Sequence, residues 1–230
     1  MPDQREIYNQ RAERYDYLVA REDCEGNLLP ALMEIDSLEG RRVVELGAGT
    51  GRLTRLLAPL VSHIWLFDRS HHMLEFASWS LSATEKRNWE LTVADHRNLP
   101  LVDGVADVVI SGWSICYLVA WGGPEWRTAV AEALTEMERV LEPGGTIILL
   151  ETLGIGNEQP EIPGKLRGYY ETLEAEGFSR RWIRTDLAFD SLEEARELMG
   201  FFFGEEMARR VEVEEWVRVP ECTGIWWKRM

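Results

Sequence analysis

From residue 41 onward, short apolar runs alternate with amphipathic stretches. RRVVEL (41–46) reads as a buried strand, GAGTG (47–51) as a turn, and RLTRLLAPL (52–60) as a helix with Leu53, Leu56, Leu57 and Leu60 on one stripe. HIWLFD (63–68) is a second strand, and residues 70–81 form a helix with Ser70 at its N-cap. WELTVAD (89–95) and ADVVIS (106–111) are further strands; the latter is almost wholly apolar, as a strand covered on both faces should be. Val130, Leu134, Met137 and Leu141 line a helix over 124–145, stopped by Pro143-Gly144-Gly145, and TIILLE (146–151) is the fifth strand.

The flanking regions are less regular. A helical stretch runs from Glu6 to about Ile35, broken near Gly26 and Asn27. After strand five comes a loop with Gly and Pro over 152–164, then a helix to Glu176. Residues 178–189 read as a strand, 191–204 as a helix opened by the Ser191/Glu194 capping box, and 217–229 as a strand or strand pair. Alternation of strand and helix predicts an α/β fold, an open sheet with helices on both faces. One domain over 1–230 is expected, with a helical cap at 1–38 and a loop and helix at 152–176.

Composition narrows the class. With 45% hydrophobic and 28% charged residues the 230-residue chain can bury a core, which excludes wholesale disorder. The net charge of −15 argues against a nucleic-acid partner, because phosphate contacts need a basic face. Arg180, Arg181 and Arg184 cluster, and read as a solvated surface. The longest uncharged stretch, Val108–Pro124, is too short and broken to cross a membrane, and MPDQREIYNQ has no signal-peptide core. Three scattered cysteines give no metal-ligand spacing and suit a reducing cytoplasm.

Chemistry concentrates at three consecutive strand ends. The glycines of ELGAGTG stand at 47, 49 and 51, between a strand and a helix. A ligand there could approach the backbone closely, Gly49 above all, and meet free N–H groups. The spacing is G-x-G-x-G and not the G-x-G-x-x-G of dinucleotide sites, with Arg52 where the third dinucleotide glycine would stand. Asp68 ends strand two, where a carboxylate can accept from both ribose hydroxyls; Asp95 ends strand three, where one can accept from an adenine amino group. Each alone is an ordinary turn or cap residue. Together, in this order, they point to a nucleoside-bearing ligand, and the acidic edge of Glu45, Asp68 and Asp95 suits a cationic one.

These residues resemble the class I S-adenosylmethionine-dependent methyltransferases. ELGAGTG (45–51) is similar to the family's first motif, LFDRSHHML (66–74) to its ribose-binding segment, ADHRNLPLVDGVADVVIS (94–111) to its adenine-binding turn and fourth strand, and LEPGGTIILLE (141–151) to its entry into strand five. The resemblance implies a Rossmann-like, seven-stranded, mostly parallel sheet whose last strand is antiparallel. It implies S-adenosylmethionine as cofactor and S-adenosylhomocysteine as product. By motif position Glu45, Gly47, Ala48, Gly49 and Gly51 line the methionine and ribose, and Asp68 holds the ribose hydroxyls. Arg69 and Met73 lie beside the adenine, Asp95 and His96 flank it, and Ser111 and Trp113 lie near the sulfonium. SGWS (111–114) is neither the Asn-Pro-Pro-Tyr of amino-directed DNA methyltransferases nor a Pro-Cys pair, which disfavours those nucleobase chemistries.

The expected function is methyl transfer to a small-molecule O, N or C nucleophile by in-line displacement, which mainly needs alignment. No catalytic residue is assigned. His96, Tyr117, Tyr8 and Tyr15 are the candidate proton-handling groups, and Tyr8, Tyr15 and Tyr117 the candidate pocket or lid residues; His63, His71 and His72 read as surface or packing. Trp113, Tyr117, Trp121 and Trp126 form an aromatic group after strand four, favourable beside a sulfonium, with core packing the competing reading for Trp121 and Trp126. Residues 5–20 and 152–170 are expected to lie over the carboxyl edge of the sheet as a lid. Two alternatives stay open: a nicotinamide-dependent oxidoreductase, and a non-catalytic module that binds S-adenosylmethionine. RNA or protein acceptors also remain open within the first reading, as does the oligomeric state.

Overall fold

The structure is a computed structural model that describes residues 3–84 and 86–230. Seven strands form one sheet: β1 (Arg42–Leu46), β2 (His63–Asp68), β3 (Trp89–Val93), β4 (Ala106–Gly112), β5 (Leu141–Ile155), β6 (Ser179–Arg184) and β9 (Glu221–Arg229). Their order is β3-β2-β1-β4-β5-β9-β6. The first five are parallel, and β9 enters antiparallel between β5 and β6. This is the expected Rossmann-like sheet. A separate two-stranded ladder joins β7 (Leu187–Ala188) to β8 (Arg218–Val219).

Alternating strand residues supply two cores. Val44, Leu46, Val109, Ile147 and Leu149 face α7 (Trp126–Val140) and α8 (Arg167–Ala175). Val43, Val108, Ile110, Ile148 and Leu150 face α3 (Leu28–Ile35) and α4 (Arg52–Leu57), with Leu81 of α5 (His71–Ser82). Trp226 joins the first core and Trp227 the second, as adjacent strand residues must. A third cluster unites Ile7 of α1 (Gln4–Gln10) and Leu18 of α2 (Ala12–Val19) with α9 (Leu192–Phe203) and α10 (Glu205–Val213). These four helices lie together, whereas α3 belongs to the sheet face.

The expected Ser70 cap is present, its hydroxyl accepting from the Met73 N–H at 3.3 Å. Several boundaries differ from expectation. The helix expected to 145 ends at Val140, after a short 3-10 turn at Gly123–Glu125. Glu142 precedes Pro143, which disfavours helical backbone there, and Gly144 sits at φ +85°. The chain therefore turns directly into β5, which continues to Ile155 through residues expected to be loop. The strand expected over 178–189 breaks after Arg184, because the buried Asp186 carboxylate accepts from Arg184, Arg218 and the Glu221 N–H. Two helices lay outside the sequence reading: α6 (Cys116–Trp121) and α10.

Candidate active site

A cavity of about 550 Å³ opens at the carboxyl ends of β1, β2 and β4. Its floor is the β1–α4 turn, where the Gly47 and Ala48 N–H groups both donate to the Phe67 carbonyl, at 2.7 and 3.0 Å. Gly47 and Gly49 line the cavity with φ near +66° and +55°. Gly51, at φ +82°, instead starts α4 and packs toward Ala77 and Leu81 of α5. The Asp68 carboxylate reaches the same space and accepts from the Gly49 N–H at 2.9 Å and the Ser70 N–H at 2.7 Å. Burial pushes its pKa up against those two donors.

The walls come from the next two strand ends. His96 is buried, its Nε2 2.9 Å from the Ser114 hydroxyl, and burial pushes its pKa down to about 4. The imidazole is therefore neutral at physiological pH. Trp113 lines the cavity with φ +48°, a sparsely populated conformation for a bulky residue. The Arg52 guanidinium lies 4.6 Å from its ring centroid and pairs with Glu22. Burial lowers the Arg52 pKa to about 10, so it stays cationic.

The roof is aromatic. Tyr8 and Tyr117 share a hydroxyl–hydroxyl hydrogen bond of 2.5 Å, Tyr15 meets Tyr8 edge-on, and Tyr117 stacks on Trp121. Arg5 lies over Trp121. The cap that carries Tyr8 is tied to α5 and α4: Ser70 Oγ donates to the Tyr8 carbonyl at 2.7 Å, the Ala12 N–H to His72 Nε2 at 3.3 Å, and Arg55 to Asp16 at 2.8 Å.

Of the residues expected at the site, Gly47, Gly49, Asp68, Arg69, His96, Trp113, Tyr8, Tyr15 and Tyr117 converge on this cavity. The others lie elsewhere. Glu45 is buried beneath it, accepting from the Thr54 hydroxyl at 2.5 Å, with its pKa pushed up to about 8 by burial. Ala48, Met73 and Ser111 are buried outside the lining. Asp95 is engaged by Arg97 through Nε at 2.7 Å and Nη2 at 3.1 Å, which holds its carboxyl near 2, with Arg69 3.5 Å away. Residues 152–170 contribute nothing to the lining among the described residues. They run along β5 and then into α8, where Tyr169 donates to Glu151 at 3.1 Å and Tyr170 to the Thr152 carbonyl at 2.7 Å. Of the two segments expected over this edge, only α1 and α2 contribute to the lining. Trp121 and Arg5 line the cavity too, the first from the aromatic group and the second from the 5–20 segment, whereas Ser70 and Ser114 were not expected as wall residues. Ser114 closes the quoted SGWS stretch and so carried a signal.

The buried carboxyls predict the direction of the pH dependence of stability. Glu45 titrates near 8 and Glu151 near 7 in the folded chain, and burial also pushes Glu221 up, with Arg52 opposing. The folded state then binds more protons than the unfolded one between about pH 4.5 and 8, so these groups destabilise it as pH rises. His96 acts oppositely, but only between about 4 and 6.5. The melting temperature is therefore expected to fall from pH 6.5 to 8.5, on the order of 2 kcal/mol of stability. A calorimetric scan in which it stays level or rises contradicts this account.

The methyltransferase domain family matches residues 44–149. The chain is 31% identical over 143 residues to the malonyl-[acyl-carrier protein] O-methyltransferase of Geobacter sulfurreducens, covering 61% of this chain and 49% of that protein. It is 32% identical over 130 residues to the demethylmenaquinone methyltransferase of Clavibacter sepedonicus, covering 56% of this chain and 46% of that protein. The match thus spans about half the length of these relatives. In fold, the chain resembles a SAM dependent methyltransferase from Aquifex aeolicus with TM-score 0.56 at 16% identity, over 98% of this chain and 93% of that one. A Haemonchus contortus N-methyltransferase solved with phosphomonomethylethanolamine and S-adenosylhomocysteine gives TM-score 0.65 at 14% identity, over 100% of this chain and 61% of that one. Residues 44–149 thus match a methyltransferase domain, in keeping with the resemblance to the class I S-adenosylmethionine-dependent methyltransferases, a class whose cofactor is S-adenosylmethionine.

Proposed function

We propose that this chain transfers a methyl group from S-adenosylmethionine to a small-molecule O, N or C nucleophile by in-line displacement. The observation that carries the reading is convergence: the glycine turn, the Asp68 carboxylate and an aromatic roof all meet in one cavity. The cavity suits the cofactor, because the Gly47 and Gly49 backbone forms part of its lining where side chains would take up space, and Asp68 offers carboxylate oxygens beside it.

When bound, the cofactor supplies an electrophilic methyl on a sulfonium. Asp68 would hold the ribose hydroxyls, and Gly47 and Gly49 would let the methionine portion lie against the backbone. The Trp113, Tyr8, Tyr15 and Tyr117 rings present π-faces favourable to a sulfonium. They also exclude water from the site. Tyr8 and Tyr117 use one of their two protons on each other. The second can donate to the acceptor and fix its orientation. His96, neutral and engaged with Ser114, orients the wall and is not assigned a proton. The cytoplasmic location is part of the same proposal; among the described residues no helix is long and apolar enough to cross a membrane.

Calorimetry tests the reading. S-adenosylhomocysteine should bind and NAD should not. Asp68→Ala should weaken S-adenosylhomocysteine by about 1.5–3 kcal/mol, roughly 10- to 150-fold, by leaving polar partners unmatched. Saturable NAD binding without a response to S-adenosylhomocysteine would favour an oxidoreductase. Unchanged affinity in Asp68→Ala would remove that residue from the site.

A further inference from the structure

Beneath the aromatic wall lies a carboxylate that the methyl-transfer reading leaves unused. Glu151 is 1% exposed, towards the carboxyl end of β5. Its Oε1 accepts from the Cys116 N–H and from the Tyr169 hydroxyl, each at 3.1 Å, and its Oε2 has no hydrogen-bond partner among the described residues. Cys116 is the first residue of α6, so the bond to its N–H satisfies one of the donors that a helix start leaves open. The next residue, Tyr117, makes the hydroxyl pair with Tyr8, and Trp121 ends the same helix. Glu151 therefore holds from below the short helix that forms one wall of the cavity.

We propose that Glu151 is a positioning residue: it anchors the first turn of α6, and gain or loss of its proton loosens or tightens the wall formed by Tyr117 and Trp121. The proposal rests on the reading of this cavity as the methyl-transfer site. The groups that face Glu151 are Cys116 and Tyr117 from α6 and Tyr169 and Tyr170 from α8; its cross-strand neighbour on β9 is Gly224. None is a cation. Ionised, the carboxylate accepts from the Cys116 N–H with charge assistance, the stronger kind of hydrogen bond. Protonated, it is a weaker acceptor, and its O–H must find a partner in a buried site. Burial opposes the charge while the surrounding donors favour it, and the balance puts the titration at about 7. The anchor therefore changes strength within the physiological range. Higher pH tightens α6 even as it lowers the stability of the whole fold.

Hydrogen exchange on the intact chain tests this, with rates over residues 112–121 corrected for the intrinsic effect of pH. The wild type should open about fivefold more at pH 6 than at pH 8, the change expected when a hydrogen bond loses its charge assistance. Glu151→Gln should be equally loose at both values. Tyr169→Phe removes a donor that favours the charged form, so its step should persist with a higher midpoint. A wild type with no step, or a step that survives in Glu151→Gln, overturns the proposal. Should Glu151→Gln fail to fold, the wild-type step and the Tyr169→Phe midpoint decide. S-adenosylhomocysteine affinity, measured in parallel, keeps the two failures apart: no binding sinks the methyl-transfer reading, and no step sinks the role of Glu151.

Discussion

Gly47→Ala is expected to lower affinity for S-adenosylhomocysteine more than about 100-fold, close to 3 kcal/mol, and to lower the melting temperature as well. A Cβ at this position would fall on the Ser114 side chain, well inside contact distance, and 3.2 Å from His96 Nε2. The left-handed backbone adds about 1–2 kcal/mol of its own. Neither neighbour can yield cheaply, since His96 and Ser114 are bonded to one another and buried. Gly49→Ala is the control. Its Cβ would meet only Tyr15, at 3.8 Å, so the fold bears little beyond the backbone term, while the methyl takes space at the cavity. Thermal unfolding should therefore rank Gly47→Ala below Gly49→Ala. Adding Ser114→Gly to Gly47→Ala should recover part of the lost stability. The reverse ranking, or wild-type binding in Gly47→Ala, would contradict the packing described.

The second large effect is expected at Arg52. Its guanidinium pairs with Glu22, opposes the burial of Glu221 and covers the ring of the strained Trp113. Arg52→Met leaves Glu22 without its counterion, a change that costs about 3–5 kcal/mol at buried pairs. At this chain length that is roughly 6–20 °C of melting temperature. Adding Glu22→Gln should return part of the loss, because the uncompensated charge disappears. A drop of a degree or two in Arg52→Met, or no recovery in the double variant, would show that the pair contributes no more than an exposed one.

The sheet was legible in the sequence because β1, β2 and β4 are largely covered on both faces and read as predominantly apolar runs. Their ends carry Gly47, Asp68 and Trp113 to one edge, so the centre of the site was legible too. The roof was only half visible. Tyr8, Tyr15 and Tyr117 stood out as aromatics, but α6 is six residues long with no side-chain cap, and nothing local marks it as a helix. Its anchor, Glu151, lies 35 residues away. Likewise α10 buries only Ala208 and Val211 among charged residues, too thin a stripe to register after the stop at Gly204. Asp95 shows a contact that local reading does not supply. Its place at a strand end was read correctly, but two residues on, Arg97 claims the carboxylate.

The place of β9 between β5 and β6 has a consequence for how the molecule is made. A growing chain that has emerged only as far as α10 can assemble β3-β2-β1-β4-β5, but β6 then has no neighbour. Both β5 and β6 present unpaired backbone until residues 221–229 arrive and stitch them together. In that interval the apolar side chains of β5 lie along an open edge. Holdase capture and misassembly during synthesis should therefore concentrate on chains stalled just short of β9, and fall away once that strand is free to insert.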